Sequence, residues 1–383
     1  MKIALVILHA DPARGGAERY TVDLAAGLRG RGHEVSLAAT SFGEGIRTAP
    51  DVLLPARAAT RVGRYGRFLD ALDAHLSQTR YDVVHAMLPV RRCDVYHPHA
   101  GIAAEAVASG RLKHAGTVQR AVARVGARFN ARRQRFAQVE RQLLVGPNPP
   151  VVLCLSEYVK GTVQKHYDLP DAKLATLLNA VDLAKFDPAR RPEAGTQVRE
   201  RFAIEPDQMV GLMIAQDFAR KGLREAVLAA SQVQDPRLRL MVVGKEDPGR
   251  YRQLASEQGL ADRVIFAGPT TDPYSFYRAA DFFVLPTRHD PCSLVVLESL
   301  AMGVPVISTV FNGACEIMHS GTHGVVLEDP GDLNALAESM RQMLDAERRR
   351  AITDACLQLR PALSYDRHLD DLLQIYDRIG ASR

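Results

Sequence analysis

Short β-branched apolar runs alternate with helical stretches along nearly all of the 383 residues. Such alternation folds as parallel strands joined by crossover helices. Strands are expected at 3–8, 34–39, 82–86, 94–97 and 151–155, and again at 210–215, 238–243, 264–266, 282–285, 304–308 and 324–327. With about 150 residues usual for a domain, two such groups read as two Rossmann-like, doubly wound α/β lobes. Prolines and charges make 179–195 the expected linker, giving a first lobe at 1–180 and a second at 181–363; the final helix, 364–383, follows Pro361 and can return to either lobe. Ligands of parallel sheets bind beyond the carboxyl ends of the strands, so the expected site is a cleft between facing lobes.

Composition narrows the chemistry. A hydrophobic share of 46% with 24% charged residues is that of a globular chain and excludes disorder. The early apolar run at 3–8 falls short of the roughly 20 residues that span a bilayer, and no cleavage site follows it, so a cytoplasmic protein is expected. The five cysteines are scattered and never spaced C-x-x-C, which indicates neither a disulfide framework nor a zinc cage. There is no Asp-x-Asp pair to hold a metal against a diphosphate, so phosphate chemistry here is expected to use other charges.

Three segments carry candidate chemistry. The first strand runs into a loop ending Arg14-Gly15-Gly16, with a helix opening near Ala17. Paired glycines let backbone amides approach a ligand and the helix amino end favours anions, although a plain tight βα turn has the same sequence. After strand 210–215 come Arg220, Lys221 and Gly222, two cations placed to neutralise a diphosphate or, more plainly, a solvated charged turn. The third and strongest segment follows strand 282–285: a loop bearing Asp290, a helix beginning near Ser293, and Glu298 within that helix. Amides of Leu294 and Val295 are placed for a phosphate and the two carboxylates for hydroxyl pairs, while Ser293 as an N-cap and Glu298 as a surface acid are the structural alternatives.

The acid-x7-acid spacing of Asp290 and Glu298, the Arg220-Lys221-Gly222 turn and the Gly15-Gly16-Ala17-Glu18-Arg19 loop together resemble the family 4 retaining glycosyltransferases of GT-B fold, over nearly the whole chain. Within that family, Asp217-Phe218-Ala219-Arg220-Lys221-Gly222 and Asp94-Val95-Tyr96 are similar to the members that place the first glucose on inner-core heptose of lipopolysaccharide. The resemblance implies that Arg220 and Lys221 bind the donor diphosphate, Glu298 the nucleotide ribose and Asp290 the donor-sugar hydroxyls, with amide contacts from Gly16, Leu294 and Val295 and with Gly15 and Ser293 in the same donor site. The family usually has Glu where this chain has Asp290, and Gly near Ser293. It also carries a His or Asp beside the reacting carbon; in the loop His97-Pro98-His99-Ala100-Gly101 this implies His99, with His97 in reserve. His85 is expected to pack or to line the cleft. The implied activity is metal-independent, cofactor-free transfer of a hexose, glucose from UDP-glucose, to a glycolipid such as lipopolysaccharide core, at the inner face of the cytoplasmic membrane.

Charge is unevenly spread. Residues 111–141 hold nine Lys or Arg and a single acid, Glu140, while the rest of the chain has 40 basic and 43 acidic residues. A basic amphipathic helix is expected over 117–139, with Arg120, Arg124, Arg128 and Arg132 along one face for an anionic membrane or acceptor surface. Two rival readings stand beside the transferase: a nucleotide-sugar epimerase of the same fold, and a nucleic-acid-binding protein using the basic helix. The absence of Trp and of aromatics interleaved with the arginines disfavours the second.

Overall fold

The computed structural model describes residues 1–99, 101–112 and 131–381. The chain divides into two compact units, residues 1–177 with 369–383, and residues 178–368. Each is a Rossmann-like parallel sheet with helical crossovers.

In the first unit the strands are β1 (Lys2–Val6), β2 (Glu34–Ala39), β3 (Val52–Leu53), β4 (Val83–Ala86), β5 (Val95–Tyr96), β6 (Val151–Cys154) and β7 (Leu174–Thr176), in the order β3-β2-β1-β4-β5-β6-β7. Register pairs Ile3 with Val35 and Val83, and Leu5 with Leu37 and His85. β1 is buried over Ile3 to Val6 because helices cover both faces, which is why it reads as a continuous apolar run instead of an alternating one. Helix Arg61–Gln78 starts where the Thr60 hydroxyl accepts from the Gly63 amide at 3.0 Å, and buries Tyr65, Phe68, Leu69 and Leu72 at helical spacing. From Leu369 onward, helix Tyr365–Ala381 belongs to this unit and buries Leu369, Leu372, Ile375 and Tyr376.

In the second unit the strands are β8 (Met209–Ile214), β9 (Leu238–Val243), β10 (Val264–Gly268), β11 (Phe282–Val284), β12 (Val306–Thr309) and β13 (Gly324–Leu327), in the order β10-β9-β8-β11-β12-β13. In both sheets the order reverses beside the first strand, β1 and β8, the topological switch point at which such folds bind ligands. β12 starts two residues later than expected, because Gly303 at φ +74° and Pro305 cannot continue a ladder backward from Val306. The stretch 179–195 is built into this unit: Val181 bridges Ser364, the Asn179 amide donates to the Cys292 carbonyl at 3.1 Å, and helix Ala194–Arg201 starts within it.

The expected helix 117–139 falls largely outside the described residues, including Arg120, Arg124 and Arg128. Arg132 lies in helix Ala131–Leu144, which turns Val139, Leu143 and Leu144 inward. Glu140, the lone acid of the basic stretch, is fully buried and faces inward with them. Among the described residues no helix is long and apolar enough to cross a membrane.

Candidate active site

The second unit gathers its charged groups at the carboxyl edge of β8, β11 and β12. The turn after β8 ends at Gly222, whose φ of +80° suits glycine; a Cβ there would sit 2.2 Å from the Pro286 carbonyl oxygen. This close approach laces two loops together. The Arg288 amide and the Thr287 hydroxyl donate to the Arg220 carbonyl at 3.1 and 3.2 Å, and Arg220 Nη1 donates to the His289 carbonyl at 2.7 Å. The Asp217 carboxylate caps the turn by accepting from the Arg220 amide at 3.0 Å.

Lys221 and Asp290, 69 residues apart, form a buried ion pair through Nζ and Oδ2. Burial pulls the Lys221 ammonium below the usual lysine range, and the Asp290 carboxylate works against that pull. Neither charge is well hydrated, so each depends on the other or on a bound ligand for compensation. Backbone bonds fix the Asp290 loop: its amide donates to the Phe311 carbonyl at 2.8 Å and its carbonyl accepts from Gly313 at 3.0 Å.

Helix Leu294–Ala301 follows directly. Ser293 stands at its N-cap position, but its side chain makes no capping hydrogen bond. The first bond closing this helix start runs from the Val296 amide to the Ser293 carbonyl, so the amides of Leu294 and Val295 precede the intrahelical ladder, as donors at a helix start do. Asn312 orders the start from outside: its Oδ1 accepts from the Ser293 amide at 3.2 Å while its Nδ2 donates to the Ser308 hydroxyl at 3.1 Å. Glu298 is half-buried and accepts from the Tyr277 hydroxyl at 2.9 Å.

The first unit has its own cluster at the equivalent sheet edge. Gly15 is the extended residue before helix Gly16–Gly30, with Glu18 in the first turn. Tyr20 of that helix packs on the loop after β5, with its ring 4.2 Å from His99 and 5.4 Å from His97. The turn bearing Gly15 and Gly16 and the loop bearing His97 and His99 are thus neighbours. His97 is fully buried, His99 only partly. His85 is more than a packing residue: its Nε2 lies 3.1 Å from His97 Nδ1 and its Nδ1 lies 2.6 Å from the Tyr376 hydroxyl. The same loop is anchored by Glu140, whose carboxylate accepts from the Tyr96 and Tyr167 hydroxyls and from the amides of Ala103 and Ala104, at 2.6 to 3.0 Å. Four donors and a helix amino end offset the burial of its charge.

The structure therefore brings together Arg220, Lys221, Asp290, Ser293, Leu294, Val295 and Glu298 in one unit, and Gly15, Gly16, His97 and His99 in the other. Sequence reading missed Asn312, Tyr277, Glu140 and Tyr376. An Asn-Gly step after a buried strand is a turn signal that pointed to Asn312, whereas nothing local marks the other three. Among the described residues no group of three His, Cys, Asp or Glu side chains is arranged to hold a metal ion.

Comparison with known proteins follows this division. Residues 14–185 match the glycosyltransferase Family 4 model and residues 196–355 the model described as glycosyl transferases group 1. The lipopolysaccharide glucosyltransferase WaaG of Escherichia coli K12 is 24% identical over 335 residues, covering 86% of each chain. A D-inositol 3-phosphate glycosyltransferase of Thermomonospora curvata is 28% identical over 62% of this chain and 58% of its own. Among solved structures, WaaG superposes with a TM-score of 0.81 at 22% identity, covering 98% of this chain and 99% of that one. Anabaena HepE in complex with UDP-glucose superposes at 0.75 with 17% identity, covering 99% and 100%.

Proposed function

Since its two units belong to the glycosyltransferase Family 4 and the group 1 glycosyl transferases, the chain is a glycosyltransferase, and we propose that it moves glucose from UDP-glucose to a glycolipid acceptor of the lipopolysaccharide-core type, with retention and without a metal. The observation that carries this reading is the buried Lys221–Asp290 pair, beside Arg220 and the uncapped start of helix Leu294–Ala301. The names of WaaG and the UDP-glucose complex of HepE support the donor, and WaaG the acceptor.

On this reading the departing diphosphate replaces Asp290 as the principal partner of Lys221, and Arg220 and the Leu294 and Val295 amides share its charge. Asp290 then accepts donor-sugar hydroxyls, and Glu298, held by Tyr277, accepts the ribose hydroxyls. The acceptor hydroxyl attacks on the face the diphosphate leaves, and its proton passes to that diphosphate, so no carboxylate nucleophile is needed. His99, braced by Tyr20, stands beside the reacting carbon. The anionic surface along the basic stretch, placing the enzyme on the inner face of the membrane, belongs to the same reading.

The test is sugar transfer from labelled UDP-glucose to lipopolysaccharide truncated at inner-core heptose. Arg220→Gln and Lys221→Ala are each expected to lower turnover by roughly 10²-fold or more. Because Lys221→Ala strands a buried carboxylate, it is paired with Lys221→Ala/Asp290→Asn as a folding control. Near-normal transfer by Arg220→Gln and by the double variant would overturn the assignment, and donor turnover without any acceptor would favour the epimerase.

A further inference from the structure

The histidines of the first unit form a hydrogen-bond chain that begins on the last helix of the sequence. His85 is the one polar side chain of β4, and His85, His97 and Tyr376 are all fully buried. Tyr376 belongs to the stretch of helix Tyr365–Ala381 that completes this unit, so all three lie in one compact body.

The distances give the chain a direction. The 2.6 Å between the Tyr376 hydroxyl and His85 Nδ1 is shorter than an N–H donor ordinarily makes to oxygen and usual for an O–H donor, so Tyr376 donates and His85 Nδ1 accepts. In a neutral imidazole one nitrogen donates and the other accepts, which leaves the His85 proton on Nε2, donated across 3.1 Å to His97 Nδ1. His97 Nδ1 is then the acceptor of its ring, and the His97 proton sits on Nε2. One hydroxyl on the last helix thereby selects the tautomer of two rings.

His97 passes this order on to the loop after β5. Its amide donates to the Ala86 carbonyl of β4 at 2.8 Å, and its carbonyl accepts from the His99 amide at 2.8 Å. The His97 and His99 rings lie 4.1 Å apart, and Tyr20 meets His97 edge-on at 5.4 Å and 88°. Turning the His97 ring over would break a buried hydrogen bond, so the ring on which His99 packs is fixed from behind. Stability alone does not call for polar groups here, since apolar side chains of the same shape can replace both partners of a buried hydrogen bond at little cost. A satisfied polar chain fixes orientation as well.

We propose that Tyr376 and His85 are positioning residues: through this chain they fix the tautomer and orientation of His97, and through its ring the seat of His99. Its use in sugar transfer rests on the reading that places His99 beside the reacting carbon; the chain itself does not.

Two readouts keep these apart. Long-range proton–nitrogen correlation spectra of the full chain with isotope-labelled histidine, at about pH 7.5, tell protonated from unprotonated ring nitrogens. His85 and His97 are expected to show a bare Nδ1 and a protonated Nε2. Tyr376→Phe, which removes one oxygen, is expected to move the His85 Nδ1 resonance most and those of His97 and His99 with it. In glucose transfer it is expected to lower kcat about tenfold and to leave KM for UDP-glucose within about twofold, because the donor groups lie in the second unit. His85→Phe should cause a similar loss, and Tyr376→Phe/His85→Phe no more than His85→Phe alone, since the hydroxyl then has no nitrogen to act through. Leu372→Ala removes packing from the same helix but keeps the hydroxyl, and is expected to hold kcat within about twofold below its melting transition. The proposal is overturned by an Nδ1 proton on either ring of the wild type, or by His97 and His99 resonances or a kcat that Tyr376→Phe leaves unchanged. Losses that multiply in the double variant, or an equal loss in Leu372→Ala, overturn it too. A wild-type enzyme that does not use UDP-glucose would remove the donor reading, and the spectra would still decide the chain.

Discussion

His368 is fully buried where the second unit gives way to the last stretch of the first, with its Nδ1 2.8 Å from the Leu178 carbonyl. Burial lowers its pKa from 6.5 to about 4; the hydrogen bond to Leu178 opposes the shift and Arg367 adds to it. Above pH 6.5 the imidazole is neutral in both folded and unfolded chains and contributes nothing to the pH dependence. As pH falls through 6.5 the unfolded chain takes up a proton that the folded chain refuses until about pH 4, so stability is lost across that window. The full loss is about 3 kcal/mol, and about 2 kcal/mol of it is reached by about pH 5. His368→Asn removes the titration. Urea denaturation at about pH 7.5 and about pH 5 is therefore expected to show a stability difference smaller by about 2 kcal/mol in the variant; equal differences would refute the burial account. Little of this was legible locally, because His368 in the sequence is one polar residue on an amphipathic helix. Lys221 shows the same division: its place after a strand marked it as a phosphate ligand, but its pairing with Asp290 depends on two loops leaving one sheet edge.

At the scale of elements, the strongly apolar strands and the helices with caps were readable, since each is set by local backbone bonding and side-chain period. β3 and β7 were not. Val52–Leu53 and Leu174–Thr176 are edge strands of two and three residues, too short to show any period, and they exist only because β2 and β6 offer a ladder to join. Helix Leu223–Gln232 depends on the left-handed Gly222 at its start, and that position yields a sharp expectation. Gly222→Ala both strains φ and drives a methyl toward the Pro286 carbonyl, which should cost about 2–4 kcal/mol. Thermal denaturation is expected to show the loss, with weaker UDP binding because the Arg220 and Lys221 turn shifts; an unchanged midpoint would mean the two loops can part without cost. In the basic stretch, composition gives no sign of the part played by its one acid. Counted as a charge, Glu140 is the exception among arginines, whereas in the fold it is the anchor of the His97–His99 loop.

Across the whole molecule, the chain divides into two compact units, and the first takes in the stretch from Leu369 onward. Leu372 is fully buried in helix Tyr365–Ala381, beside Tyr376, whose hydroxyl meets His85 across 291 residues of sequence. Leu372→Ala is expected to cost about 3 kcal/mol through lost burial and the cavity left behind. Hydrogen exchange should report that cost in β1–β7 and leave β8–β13 protected as before; faster exchange spread evenly over both sheets would show that the two units unfold as one. Alternation of period, the Arg-Lys-Gly turn and the acid-x7-acid loop were enough, from sequence alone, to specify two parallel sheets and to place a cationic turn and two carboxylates at one sheet edge, because these are short-range patterns. Only the tertiary structure decided that Lys221 is held by Asp290, that Glu140 is buried, and that Tyr376 completes the histidine cluster. Each of those depends on desolvation and on which distant segments share an edge, quantities that no window of sequence contains.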